Sequence, residues 1–379
     1  MSTITFGSTS APSNISAYMD SVFGLSVANY RKSLTDNIGA TNAFLAEILR
    51  NDAYESADGG SWIQEPLMYA LTPSDSYDGY DELSTVPTDG ISDAVYQWRQ
   101  TASPIVYNMR EVILNQHRIV DLVKSRIKQA EMGIQEGFAQ SLMWGAAANG
   151  GTTLVTPRIS TVNGSSGIEP LNEFIRFDPT SATNPTVGNI DQSVAANSWW
   201  RNRSKTSAAA DYVTFILELE NTYNQCALGT GGPPNLILMD QVTYELFIMA
   251  FFFRYRIMPG DVPTDFPFEA KKFKNAIVVM DDKVPDAYSD LAPTNLNVGG
   301  VSSGLTYGTA YFINTKFFKL RYHPDRDWEM LEDENGKKFA KPINGDSRVG
   351  HVAWMGNLTC NNRRKQGMLA KIARTLTAN

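Results

Sequence analysis

The sequence predicts an α+β chain organised around one oversized helix, and three stretches predict it. From Met109 to Gly145 the apolar residues Val112, Ile119, Val123, Ile127, Ala130, Ile134 and Ser141–Leu142 recur at helical steps with no proline between them. That is one stripe of an α-helix. From 58 to 107, turn residues and acids separate two strand-like runs, the pattern of an extended hairpin. From 208 to 280, helix and strand periods alternate, as in a small α/β unit.

The helical stretch is the spine. Asn115 is a plausible N-cap for its regular part, and Asn149-Gly150-Gly151 ends it. About 30 residues at about 1.5 Å rise make a rod of roughly 45 Å, longer than the usual helix of about 8–20 residues.

Before the spine, residues 1–57 read as an arm, with helical spacing at Ile38, Ala43, Phe44, Ile48 and Leu49. The hairpin follows. Trp62, Pro66, Leu67, Tyr69 and Leu71 suggest its first strand, and the alternation at Ala94, Tyr96 and Trp98 its second. Thr72-Pro73-Ser74-Asp75 and Pro87-Thr88-Asp89-Gly90 supply turn chemistry between them. From Gly59 to Trp98 there is no Lys or Arg, against the seven acids Glu65, Asp75, Asp78, Asp81, Glu82, Asp89 and Asp93. A long hairpin alone is marginally stable. This one must lie on its own body or on a neighbour.

After the spine, strand-like runs occur at Thr153–Val155 and Phe174–Phe177 in a Gly/Ser/Thr/Asn-rich stretch. Ser198–Lys205 mixes aromatic and basic residues around Trp199-Trp200. A helix is expected over 208–227, a strand at 236–239, a helix over 241–255 and a strand at 276–280. Strands follow at 310–314, 317–322, 328–331 and 349–358, with a turn at Asn335-Gly336. From Arg348 to Asn379 the chain carries six basic residues and no acid.

Composition narrows the function classes. Net charge is −7 and the isoelectric point about 5.2, so the chain as a whole is not a nucleic-acid binder by charge. Two cysteines, Cys226 and Cys360, form no disulfide framework. Met1–Ser16 has neither a basic nor an apolar leader region, so no signal peptide is expected. The longest apolar run, Leu246–Phe253, is too short to span a bilayer. His117, His323 and His351 are too scattered for a metal site, and no cofactor motif is present. Gly300-Val301-Ser302-Ser303-Gly304 matches a hydrolase pattern, but the residues after it read as loop then strand rather than helix. Two competing readings follow. An α/β hydrolase-like enzyme would act through Ser302, and a nucleic-acid-binding protein would use Arg201, Arg203 and Lys205.

The order of arm, acidic hairpin, spine, α/β unit and returning sheet resembles the major capsid proteins of tailed phages, the Hong Kong 97-type fold. The resemblance covers nearly the whole chain. It is carried by Gly60–Leu67, by Lys128-Gln129-Ala130-Glu131-Met132 on the spine, by Ile190-Asp191-Gln192 leading to Trp199-Trp200-Arg201-Asn202, and by Trp354–Gly367.

The resemblance implies an N-arm at 1–57 and an E-loop at 58–107. It implies a peripheral domain from 108–150 with 307–365, and an axial domain from 151–306 with 366–379. It also implies a structural role: self-assembly into hexamers and pentamers of an icosahedral head enclosing double-stranded DNA. Portal, separate scaffold and decoration proteins would be the further partners, with no enzyme activity, cofactor or membrane. The fold's prototype cross-links through an E-loop lysine, and the flap here has none. On charge, the acids Asp75, Asp78, Asp81, Glu82, Asp89 and Asp93 are expected to meet a neighbouring copy. Arg363, Arg364 and Lys365 are the first candidates to receive them, and Lys124, Arg126 and Lys128 the second.

Overall fold

The computed structural model describes residues 43–50, 53–57, 59–72, 74, 76–81, 86, 89–114, 122–144, 167–182, 186–254, 270–281, 284, 307–332, 338–341 and 345–377. Thr153–Val155, the motif around Ser302, the turn at Asn335-Gly336, and Asp75 and Glu82 lie outside them. So do the side chains of Lys124 and Arg126.

In chain order the elements are α1 (Ala43–Arg50), β1 (Tyr54–Ser56), β2 (Ile63–Met68), β3 (Ile91–Tyr96), β4 (Arg99–Asn108), α2 (Met109–Leu114), α3 (Leu122–Trp144) and α4 (Leu171–Phe174). Next come β5 (Thr186–Val187), β6 (Ile190–Asp191), β7 (Arg203–Thr206), α5 (Tyr212–Ala227), β8 (Leu236–Met239), α6 (Gln241–Arg254), β9 (Ala270–Phe273) and β10 (Ala276–Met280). The last are β11 (Tyr307–Ile313), β12 (Phe318–Tyr322), β13 (Glu329–Met330), β14 (Ser347–Cys360) and β15 (Gly367–Ala373).

The chain forms two compact units. The larger comprises the described residues within 41–101, 136–327 and 354–379. Its centre is a mixed sheet in the order β7-β15-β11-β8-β10-β9. β8 and β10 run parallel, as do β15 and β7, while β11 is antiparallel to both its neighbours. Every residue of β8 is buried, because both faces of the sheet are covered. On one face Ile237, Met239, Phe312 and Leu369 pack against α5 and α6 through Phe215, Leu219, Tyr244 and Phe247. On the other, Leu238, Tyr311, Ile313 and Met368 join a core holding Phe44, Phe138, Phe174, Trp200, Phe318 and Trp354.

Caps set the starts of both large helices. The Asp211 carboxylate accepts from the Thr214 amide, 2.6 Å, at the head of α5. Asp240 accepts from the Thr243 and Thr309 amides before α6, and Arg374 lies 3.4 Å from it. A second sheet places β1 parallel to β12, and β12 antiparallel to β14.

The smaller unit comprises the described residues within 102–135 and 328–353. Within it β13 pairs with β14 at Ala353 and Val352, and Tyr107 meets Phe339 edge-on at 5.3 Å. The Asn108 side chain accepts from the Arg110 amide, which starts α2. A cleft of about 540 Å³ lies among Pro104, Val106, Asn108, Gln129 and Ser347.

Two expectations change, and two strands not expected from the sequence appear. The apolar run Phe174–Phe177 is not a strand. Pro170 opens a helical turn at Leu171–Phe174, and its carbonyls receive a side chain from elsewhere in the fold instead of a sheet partner. β11, placed by its sequence position with the returning sheet, sits at the middle of the larger one. Its pattern, buried at every residue after Tyr307, is that of a central strand covered on both faces. Two short edge strands, β7 and β9, carry paired basic residues and lack the apolar run that marks a strand in sequence. No helix among the described residues is long and apolar enough to cross a membrane, and no cluster of metal-binding side chains occurs among them.

One buried acid gives the fold a pH signature. Glu169 is buried and receives no hydrogen bond at its Oε2. Burial raises its pKa to about 8, Arg99 opposing and Glu173 adding to the shift. The folded chain therefore keeps a proton that the unfolded chain loses above about 4.5. Stability falls as pH rises through the window from about 4.5 to about 8. Glu169→Gln is expected to flatten that slope and to gain most over wild type at the alkaline end. Urea midpoints measured from about pH 5 to about pH 8.5 check it. Parallel curves for the two proteins would mean that Glu169 is ionised in the fold.

Candidate assembly surface

The hairpin has two halves with opposite environments. Its base is built into the larger unit. β2 and β3 pair antiparallel from Ile63↔Tyr96 to Met68↔Ile91, and β2 alternates strictly between buried and exposed. The inward face carries Ile63, Glu65, Leu67, Ala94 and Tyr96, all buried. The Tyr96 hydroxyl donates to the Cys360 carbonyl, 2.7 Å, and Tyr69 stacks on Trp199 at 4.8 Å. The Val95 amide donates to the Gly188 carbonyl in the turn joining β5 and β6. Gly188 and Asn189 both have positive φ there, and a Cβ on Gly188 would lie 2.9 Å from Ala94. Only glycine lets β3 approach so closely.

Glu65 leaves the tally of free acids. It is buried, accepts from Thr359 and lies 2.9 Å from Arg321 Nε. Arg321 also pairs with Glu55, as does Lys319 at 2.9 Å.

Beyond the base the hairpin turns outward. Met68 and Ile91 face each other across the pair and are 74% and 75% exposed. Leu71, Tyr77, Tyr80 and Val86 are also exposed. Asp78, Asp81, Asp89 and Asp93 are exposed too, and among the described residues no ion pair neutralises them. Asp78 and Asp81 shape the tip by accepting from the Gly79 and Asp78 amides. Asp93 accepts from the Gln64 amide group, 3.4 Å.

The basic candidates divide. Arg364 is exposed, and Lys128 is exposed on α3. Arg363 and Lys365 are not surface groups, which corrects the expectation for them. The Arg363 guanidinium is fully buried and donates to the Phe174 and Glu173 carbonyls and to Gln192 Oε1, at 2.9, 3.2 and 2.8 Å. It lies 5.7 Å from the Trp200 ring centre, and burial, with Arg176 nearby, pulls its pKa down to about 10. Lys365 donates to the Ala227, Leu228 and Gly229 carbonyls at 2.9–3.2 Å, filling the open C-terminal end of α5.

The triplet reads as a solvated run because of its charge. In the fold it is a single 3₁₀ turn between β14 and β15, two strands buried along most of their length here. A six-residue link, 361–366, between such strands holds the turn against the core, where Arg363 and Lys365 find their acceptors. The segment around the Trp pair behaves similarly. Arg201 donates to three carbonyls, of Gln192, Ser193 and Val194, and Lys205 lies 3.8 Å from Glu218. Trp200 is buried with its ring NH on the Val187 carbonyl. Two of the three cations of the nucleic-acid reading are thus engaged within the subunit.

Both thiols are buried, and burial pushes each pKa up to about 12, so neither is poised as a nucleophile.

No family model matches the chain, and the comparison with curated proteins gives no match. Solved structures do. The cyanophage A-1(L) capsid asymmetric unit is similar with a TM-score of 0.57 at 13% identity, over 91% of this chain and 97% of that one. The capsid of a native GTA particle gives 0.53 at 10% identity, over 90% and 93%. The holo-SrpI encapsulin complex of Synechococcus elongatus PCC 7942 gives 0.52 at 10% identity, over 96% and 97%. At these identities what is shared is the fold, and it is shared along nearly the full length of each chain.

Proposed function

We propose that this protein is the major coat protein of a tailed-phage head, assembling through copies of itself into hexamers and pentamers of an icosahedral shell around double-stranded DNA. One observation carries the reading. The hairpin is anchored at its base and projects a tip whose apolar side chains its own subunit leaves uncovered. Single exposed apolar residues are ordinary, but six on one projecting element mark a contact surface. Burying each such side chain fully is worth about 1.5–3 kcal/mol, whereas an exposed ion pair contributes about 0–1 kcal/mol. The apolar residues supply affinity, and the acids among them set register. A flap lying on the next body is a head-to-tail contact, which closes into rings when the rotation allows.

In this reading 58–107 is the E-loop, 1–57 the N-arm, and the two returning segments complete peripheral and axial domains. The fold shared with capsid structures and with an encapsulin supports a shell, and the uncovered tip supports assembly as its purpose. No reaction is assigned to the chain. Portal, scaffold and decoration proteins are the partners such a shell would engage, inside a virion.

Expression of the full chain, followed by sedimentation and negative-stain microscopy, tests the proposal. Rings or megadalton shells are expected. A chain that remains monomeric at high concentration across salt conditions overturns it. Shells recovered with protein cargo and never with DNA would keep the assembly and reject the phage head.

A further inference from the structure

We propose that Arg203 and Arg364 form a cationic dock that receives the acidic hairpin tip of a second copy of this chain; the inference rests on the coat reading. The two residues are brought together by β7 and the turn before β15. The Arg203 amide donates to the Gln366 carbonyl, 2.9 Å, and Arg203 is in register with Gly367. Arg364 is exposed and pairs with no carboxylate among the described residues. Arg203 Nε is buried without a hydrogen-bond partner.

Burial first, and then Arg364, lower the pKa of Arg203, so the two guanidinium groups repel each other. The neighbouring cations are already occupied, Lys365 by three carbonyls and Lys205 by Glu218. What remains is a positive pair, Arg203 on an edge strand and Arg364 on the turn beside its partner strand, that no carboxylate compensates among the described residues. Its complement is on the same chain: the hairpin holds Asp78, Asp81 and Asp89 beyond its base and Asp93 exposed on β3, without a Lys or Arg from Gly59 to Trp98. A duplex of nucleic acid is the weaker occupant. The protein carries net charge −7, and the nearby Arg201 donates to three carbonyls of its own subunit.

Charge reversal tests the dock. Arg203→Glu with Arg364→Glu places acid against acid, and the yield of assembled particles at low salt is expected to fall about tenfold or more. Adding Asp89→Lys and Asp93→Lys in the same chain is expected to restore it. Asp78 and Asp81 are left alone because their carboxylates shape the tip. Circular dichroism confirms that each variant folds. If the double reversal assembles like wild type, even with weakened retention of a DNA duplex, the dock is wrong and the coat reading stands. Failure of the four-site swap to recover assembly in a folded chain also overturns the dock. Wild type that never assembles removes the coat reading and the dock together.

Discussion

Replacing residues 70–89 with Asn-Gly is expected to give a folded subunit that forms no particles. Tyr69 and Gly90 already face each other, with the Tyr69 amide on the Gly90 carbonyl at 2.9 Å. A two-residue turn can therefore close the hairpin there, and Asn-Gly suits the left-handed backbone that such a turn requires. The excision keeps everything that anchors the base: Ile63, Leu67, Ala94, Tyr96, the Glu65–Arg321 pair and the Tyr69–Trp199 stack. It removes Leu71, Tyr77, Tyr80 and Val86 with most of the free acids. The shortened chain should melt within a few degrees of wild type yet sediment as a monomer or small oligomer where wild type assembles. Particles of normal size from this variant would place the principal contact elsewhere.

Arg363→Met should produce the largest loss of stability. The side chain is fully buried, and its three acceptors are the backbone carbonyls of Glu173 and Phe174 and the amide oxygen of Gln192. Methionine matches the length and fills part of the volume but donates nothing. Each buried acceptor left without a partner costs about 1–3 kcal/mol, and relaxation brings the expected total to about 3–5 kcal/mol. Glu173 keeps its own cation, Arg176, so the loss reports the hydrogen bonds and not a stranded carboxylate. Arg363→Lys retains the charge without the fork and should lie between methionine and wild type. Urea unfolding measures all three. A methionine variant as stable as wild type would mean that water or a shifted side chain replaces the guanidinium.

Much of this arrangement was legible because it rests on periodicity. The stripe at Ile127, Ala130 and Ile134 falls on α3, and Leu236–Met239 and Ala276–Met280 are strands with the bounds that their apolar runs predict. The hairpin base falls within the runs Trp62–Leu71 and Ala94–Trp98 read as strands, although the buried/exposed alternation of β2 itself shows only in the fold. What escaped is what tertiary contacts decide. β4, ten residues from Arg99 to Asn108, mixes Pro104 with polar residues and gives no strand signal by itself. The fate of Arg363 and Lys365 depends on partners about 140 to 190 residues distant in sequence, which no local pattern reveals. Arg203, which the sequence offers only to nucleic acid, becomes an assembly candidate through the pairing of β7 with β15, the strand that follows the turn holding Arg364.

The outer strands of the larger sheet have a further consequence. β7 and β9 are each four residues long, and each carries two basic side chains, Arg203 with Lys205 and Lys271 with Lys272. Open strand margins invite runaway fibrous stacking when many identical molecules are crowded together, and brevity and positive charge are how natural sheets discourage it. Margins so guarded disfavour strand-to-strand stacking between crowded copies.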